Sequence, residues 1–376
     1  MMRFWTQVCC WFVCSHGAIF SFPESLHAQD LALTNASVIR ICPLPGEKES
    51  PVVTAMAIAA DGSEIVVAGD DHSIRLLHPL DNRDGAVQLG HQDWVKCLAF
   101  SPGGRFLASC GNDGELIVWE RVLEGKSLRL LTRQRVEHAI FGLAFASENE
   151  LYAVGFSDAV YRLVVATGAW RIDHRCDCHD LRAIDISKDG RWMAYGGRDG
   201  IIRLHPLVDS EHLLTGGTFP PEPGRGPRLS PHLHYDRILS IRFSDDGKSL
   251  FSCGEDRRIV QWEPSSNRVI ASMDVQAGKL MAACPLDATL VAVSGTDNTI
   301  RIVDIQRGES IAKLVGHDGT VAVLQKTSTH LISSGFDTTI RTWPLEQTTS
   351  RTDREGRFVH PISAQFEDSS SQEPIR

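Results

Sequence analysis

Ala68-Gly69-Asp70-Asp71 and Cys110-Gly111-Asn112-Asp113 are two copies of one phrase: a small residue, glycine, a polar residue, then Asp. It returns as Val154-Gly155-Phe156-Ser157, Gly196-Gly197-Arg198-Asp199, Cys253-Gly254-Glu255-Asp256, Ser294-Gly295-Thr296-Asp297 and Ser334-Gly335-Phe336-Asp337. Successive glycines lie 42, 44, 42, 57, 41 and 40 residues apart. A constant period of about 40 residues marks a fold assembled from copies of one unit. The single long interval holds Thr215 to Pro231, with Pro220-Pro221-Glu222-Pro223-Gly224 inside it. Proline has no N–H for a strand ladder, and about 15 extra residues cannot make another unit, so a surface loop is expected there.

Working outward from the phrase, each unit also carries an upstream turn. These turns read Ile58-Ala59-Ala60-Asp61-Gly62, Phe100-Ser101-Pro102-Gly103-Gly104, Ile186-Ser187-Lys188-Asp189-Gly190 and Phe243-Ser244-Asp245-Asp246-Gly247. Phe145 to Asn149 is a variant in which Asn149 is expected to supply the positive φ that glycine gives elsewhere. Short alternating segments such as Ile74-Arg75-Leu76 and Ile340-Arg341-Thr342-Trp343 fill the spaces, and helical periodicity is absent. Four short strands per unit make one blade. Seven units predict an all-β, seven-bladed β-propeller of four-stranded antiparallel blades over residues 29–345.

Gly90-His91 and Gly316-His317 open units two and seven, and Trp119-Glu120 and Trp262-Glu263 follow the Asp in units two and five. With these residues the repeat resembles the WD40 (G-beta type) family over roughly Asn35 to Leu345. Units one, three, four and six lack the Trp, and one and six lack the His. The resemblance implies a platform for other macromolecules, and closure of the ring by an N-terminal strand. Ser37-Val38-Ile39-Arg40-Ile41-Cys42 is an unassigned strand-like segment, while the last unit lacks its outer strand, so the two are expected to pair. Residues 346–376, polar and strand-poor, are expected to form a flexible tail.

Composition agrees with a folded chain: 42% hydrophobic and 23% charged residues are ordinary for globular proteins. The net charge of −9 comes with no cluster of basic residues along the sequence, which argues against binding nucleic acid through phosphates. Arg3 precedes an apolar run from Phe4 to Phe22, ending near Ser25-Leu26-His27-Ala28. Residues 1–28 therefore read as a signal peptide, which predicts an exported (periplasmic or extracellular) protein; the alternative is a cytoplasmic protein whose apolar start is not a signal. A membrane anchor is a further reading, but Gln7, Ser15, His16 and Pro23 interrupt it. After removal of the leader no membrane span is expected. Cys9, Cys10 and Cys14 leave with it, and seven of the ten cysteines remain, an odd number that demands no disulfide framework. Cys110 and Cys253 occupy the slot held elsewhere by Ala68, Val154, Gly196, Ser294 and Ser334, so they read as small buried residues. Asn35-Ala36-Ser37 is a glycosylation sequon, relevant only in a eukaryotic secretory route.

Three constellations look like chemistry. His91, Ser109 and Asp113 have the residue types of a hydrolase triad, but His234, Ser252, Asp256 and His317, Ser333, Asp337 repeat them. Each set is tied to a tryptophan six residues after the Asp (Trp119, Trp262, Trp343). Three copies read as buried hydrogen-bond relays in which Asp binds His, Ser bridges and the indole N–H is satisfied. They correspond to the structural tetrad that the resemblance implies. The run His174-Arg175-Cys176-Asp177-Cys178-His179 offers soft metal ligands, since His174, Cys176 and Cys178 would share one side of an extended strand. Its spacing fits neither a structural zinc site nor a c-type haem site, and the competing reading makes His179 the repeat histidine of unit four. Lastly, Trp94, Arg182 and Arg237 lie just beyond the repeat histidines, where loops converge on one mouth of the channel. They are the candidate partner-binding residues, a basic cluster suited to an acidic partner. Arg75, Arg203, Arg301 and Arg341 share one strand position and read as framework contacts between blades.

The expected function is a non-enzymatic scaffold that docks proteins or peptides, with no cofactor and no catalytic residue. The alternatives are a propeller enzyme using the channel, or a metal- or redox-associated binding protein using the Cys176–Cys178 segment.

Overall fold

The computed structural model describes residues 31–77, 84–122, 127–207 and 228–348, with two further strands at Arg351–Thr352 and Phe358–Val359. The 1–28 leader, Thr215 to Pro227 of the long interval and most of the 346–376 tail lie outside the described residues. Seven antiparallel blades form a ring. The first holds Val53–Ile58, Ile65–Gly69, Ser73–Leu77 and Asp84–Leu89, from the channel outward. In the other blades the innermost strands are Val95–Phe100, Ile140–Phe145, Leu181–Ile186, Ile238–Phe243, Leu280–Pro285 and Val321–Lys326.

The recurring glycine has a backbone cause. A Cβ on Gly69, Gly111, Gly155, Gly197, Gly254, Gly295 or Gly335 would stand within 3.0 Å of the carbonyl oxygen of Val52, Trp94, Ala139, Asp180, Arg237, Lys279 or Thr320 respectively. The residue after each glycine donates its N–H to that same carbonyl, at 2.9 to 3.3 Å. This contact ties the loop after each second strand to the start of the innermost strand, at one mouth of the channel. At the other mouth the upstream turns close as expected, with positive φ at Gly62, Gly104, Gly190 and Gly247. Asn149 is not among the positive-φ residues; its side chain instead accepts the N–H of Ala166 at 2.7 Å.

Apolar layers between neighbouring blades form the core. Ala57, Val66 and Ile74 of blade one pack with Leu98, Leu107 and Trp119 of blade two. Met56, Ile65 and Val67 of blade one meet Ile332 and Ile340 of blade seven, so the ring is continuous. Ser37–Arg40 closes it as the outer strand of blade seven, antiparallel to Thr339–Pro344, with Ser37 opposite Thr342 and Arg40 opposite Thr339. Closure leaves no open edge at the seam. One strand was not foreseen: Leu31–Leu33 adds a fifth, parallel strand to blade six, opposite Ala312 to Leu314.

Two other expectations need amendment. Within the Thr215 to Pro231 segment, Arg228–Leu229 is no loop but the outer strand of blade four, pairing with Arg203 and Leu204. After blade seven, Leu345–Thr348 makes a helical turn and Arg351–Thr352 pairs with Phe358–Val359. No helix among the described residues is long and apolar enough to cross a membrane.

Candidate functional site: one mouth of the channel

The three relays are buried. His91 places Nδ1 2.9 Å from Asp113 and Nε2 2.8 Å from Ser109, whose Oγ also accepts from the Trp119 indole at 2.9 Å. His317 repeats this with Asp337 at 3.0 Å and Ser333 at 2.8 Å, and the Trp343 indole donates to Ser333 at 3.0 Å. In blade five His234 binds Asp256 and Ser252 in the same way, but the Trp262 indole turns to Asn267 Oδ1 at 3.2 Å. Trp262 is therefore outside the Ser252 relay. Asn267, in the left-handed region at φ 51°, brings its amide to the indole that Ser252 was expected to bind. Ser109, Ser252 and Ser333 are all fully buried, where no substrate carbonyl can reach them. Burial pushes the Asp113, Asp256 and Asp337 carboxyls up, but hydrogen bonds and charge from the paired histidines and loop N–H groups outweigh it and hold them below the usual range.

In blades one, four and six, which lack the histidine, arginine takes over the Asp. Arg75 pairs with Asp71 at 2.6 Å, Arg203 with Asp199 at 2.5 Å and Arg301 with Asp297 at 2.7 Å. These are contacts within a blade, four residues apart, and not the bridges between blades that were expected. Arg75 alone also reaches toward the closing segment, at Cys42 O, 3.5 Å away. In blade seven Asp337 belongs to His317, so Arg341 has a different neighbourhood, beside Gly316. Cys110 and Cys253 are fully buried, and burial raises both thiols.

The seven glycine contacts give each blade an equivalent mouth position: Val52, Trp94, Ala139, Asp180, Arg237, Lys279 and Thr320. Trp94 and Arg237 occupy it. Arg182 does not; it lies two residues further along, like Lys96, and lines the channel. The expected alignment was wrong because it took His179 as the repeat histidine. His91, His234 and His317 precede the mouth position by three residues, and in blade four that place is Asp177. His179 is exposed.

The mouth opens a channel of about 550 Å³ lined by the innermost strands. Trp94 is 37% exposed, with Lys96 Nζ 4.4 Å from its ring centre. Arg182 lies over the Phe141 ring at 3.8 Å and bonds Asp180. Arg237 reaches the other oxygen of Asp180 at 2.9 Å and Glu255 at 2.8 Å, and Lys279 holds the far oxygen of Glu255 at 2.6 Å. The expected basic cluster is thus a chain of alternating charges, because Asp180 and Glu255 neutralise the arginines. Phe156 and Phe336, each the residue after its glycine, add exposed rings to this mouth, and Tyr235 adds a fourth. Sequence reasoning missed Phe156 and Phe336, although a large apolar residue in a slot that other blades fill with Asp70, Asn112, Arg198, Glu255 and Thr296 was a visible signal.

The metal-ligand run does not converge as expected. Strand Ala169–Arg175 ends before Cys176, so the alternation that would align His174, Cys176 and Cys178 is broken. Cys176 and Cys178 direct their thiols to the carbonyls of Cys178 and Asp180, at 3.6 and 3.7 Å. His174 instead bonds Asp173 at 3.0 Å and the Tyr195 hydroxyl at 2.8 Å.

Five segments match the family model described as "WD domain, G-beta repeat": residues 39–77, 85–120, 170–205, 227–263 and 308–344. Apoptotic protease-activating factor 1 of Danio rerio is 23% identical over 69% of this chain and 19% of its own length. Its Homo sapiens counterpart is 23% identical over 75% of this chain and 21% of its own. Nuclear distribution protein nudF of Aspergillus niger is 25% identical over 73% of this chain and 53% of its own. The chain thus spans about a fifth of the first two relatives and about half of the third. With seven glycine-anchored blades, Asp–His–Ser relays and an N-terminal closing strand, the chain belongs to the WD40-repeat family.

Proposed function

We propose that the protein is a non-enzymatic docking platform for proteins or peptides, and that partners seat on the mouth bearing Trp94, Arg182 and Arg237. The carrying observation is where the exposed aromatic rings lie. Trp94, Phe156, Tyr235 and Phe336 are exposed, and all four stand at this mouth. Aromatic side chains with arginine neighbours carry much of the energy of protein interfaces. A surface gathered from rigid blades loses little freedom on binding. The alternating charges from Arg182 to Lys279 favour a partner with an apolar anchor and mixed polar flanks over a purely acidic one. The buried serines support a non-catalytic role. The apolar segment Phe4 to Phe22 is the basis for placing the protein in an exported compartment.

The test compares capture of partners by the unaltered chain, a mouth variant (Trp94→Ser/Phe156→Ser/Phe336→Ser) and a rim variant (Leu130→Ser/Val269→Ser). Partners lost only by the mouth variant are expected. Partners retained by it and lost by the rim variant would overturn the reading.

A further inference from the structure

Blade four rewrites the relay found in blades two, five and seven. Four residues before its Asp199, where the others have Ser109, Ser252 and Ser333, stands Tyr195. Six residues after it, in the tryptophan slot, stands His205. Blades one, three and six fill that slot with Leu77, Leu163 and Val303, all buried and apolar. A histidine there is out of character, and its Nδ1 is buried without a hydrogen-bond partner.

What faces His205 is the outer strand of blade three. The His174 and His205 rings stack in parallel with centres 4.4 Å apart. A bulge in that strand pairs His174 with Val160 and Ile172 with Tyr161, leaving Asp173 unpaired between them. At a bulge the strict alternation of side chains fails, which lets Asp173 and His174 reach each other at 3.0 Å. One ligand atom each from Asp173, His174 and His205 lies within 4.8 Å of the others, and all three residues are half-buried.

The geometry points to a divalent transition-metal site, with zinc as its ion, held by Asp173, His174 and His205. Two imidazoles and a carboxylate are a sufficient protein set for zinc, with a fourth position left to water. Ligand bonds of about 2.1 Å place tetrahedral ligand atoms about 3.4 Å apart, and because the two rings lie only 8° from parallel, both imidazoles must turn about their Cβ–Cγ bonds before their nitrogen lone pairs converge on one ion. The Tyr195 hydroxyl, able to donate or accept, holds His174 Nε2 and serves either tautomer, the outer support that metal-binding histidines ordinarily have. The ion would fasten the outer strand of blade three to blade four.

The probe is zinc alone, titrated calorimetrically into the full chain after chelator treatment. The expected result is one ion per chain and a zinc-dependent rise in melting temperature. His205→Leu restores the residue found in blades one and three, so it is expected to fold while binding zinc at least tenfold more weakly. Cys176→Ser/Cys178→Ser is expected to bind as the unaltered chain does. No binding by the unaltered chain, undiminished binding by His205→Leu, or loss confined to the cysteine variant would each overturn the assignment.

Discussion

Arg237 and Arg182 share one carboxylate: Asp180, 2% exposed, gives one oxygen to each. Arg237 belongs to blade five and Asp180 to blade four, so this anion joins two blades at the mouth. Replacing it leaves two partly buried guanidinium groups with less compensation. Asp180→Asn is expected to destabilise the fold by about 1–3 kcal/mol. A double-mutant cycle with Arg237→Gln, read by urea denaturation, should give a coupling of at least about 0.5 kcal/mol. Strict additivity would show that the contact contributes nothing to joining the blades.

The seam of the ring has its own clasp. Gln325 of blade seven accepts the Ile58 N–H at 3.0 Å and donates to Met56 O at 2.9 Å, both in blade one. Gln325→Leu keeps a similar volume but strands two backbone groups, and is expected to cost about 1–3 kcal/mol. Hydrogen exchange should then quicken first at Val53–Ile58 and Ser37–Arg40, and uniform quickening around the ring would contradict a local clasp.

The fold was legible because its main constraint acts on the backbone. A carbonyl meeting the loop in every blade forces glycine at each of seven places, and the spacing of those glycines is visible as text. The channel mouth was legible only in part. Trp94 and Arg237 follow true repeat histidines, whereas Arg182 was placed by counting from His179, two residues late. Contacts that depend on the neighbouring blade left no mark in local spacing. Asp180 with Arg237, and His174 with Tyr195 and His205, are such contacts. The Asp173 bulge breaks the alternation on which any reading of the His174–Cys178 run depends. The Leu31–Leu33 strand was hidden for a similar reason, since three residues carry no periodicity.

Asp337 predicts a response to acid. Burial alone would raise its carboxyl, but His317, the Asp318 N–H and Thr339 reverse this and hold it well below the usual carboxylate range. A carboxyl depressed in the folded state stabilises the fold fully above its unfolded pKa of about 3.9, and that contribution is lost as pH falls toward the folded value. Asp337→Asn removes it at every pH. The stability gap between the unaltered chain and Asp337→Asn should therefore be constant near neutrality and narrow as pH falls below about 4. A gap that widens in acid would show that the ionised carboxylate does not stabilise blade seven.

The three relays differ in one bond, and that difference ranks three mutants. Ser109 and Ser333 each serve two partners, a histidine Nε2 and an indole N–H. Ser252 serves His234, while the Trp262 indole is satisfied by Asn267. Deleting the hydroxyl therefore orphans two buried groups in blades two and seven but one in blade five. With each buried polar group left unpaired costing about 1–3 kcal/mol, Ser109→Ala and Ser333→Ala should lose roughly twice as much stability as Ser252→Ala. Asn267→Ala should supply the missing part, since it orphans the indole that Ser252 leaves alone. Denaturant midpoints of the four variants, measured at one pH, decide the matter. Equal losses for the three serine variants, or no loss for Asn267→Ala, would mean that the Trp262 indole is satisfied by Ser252 after all.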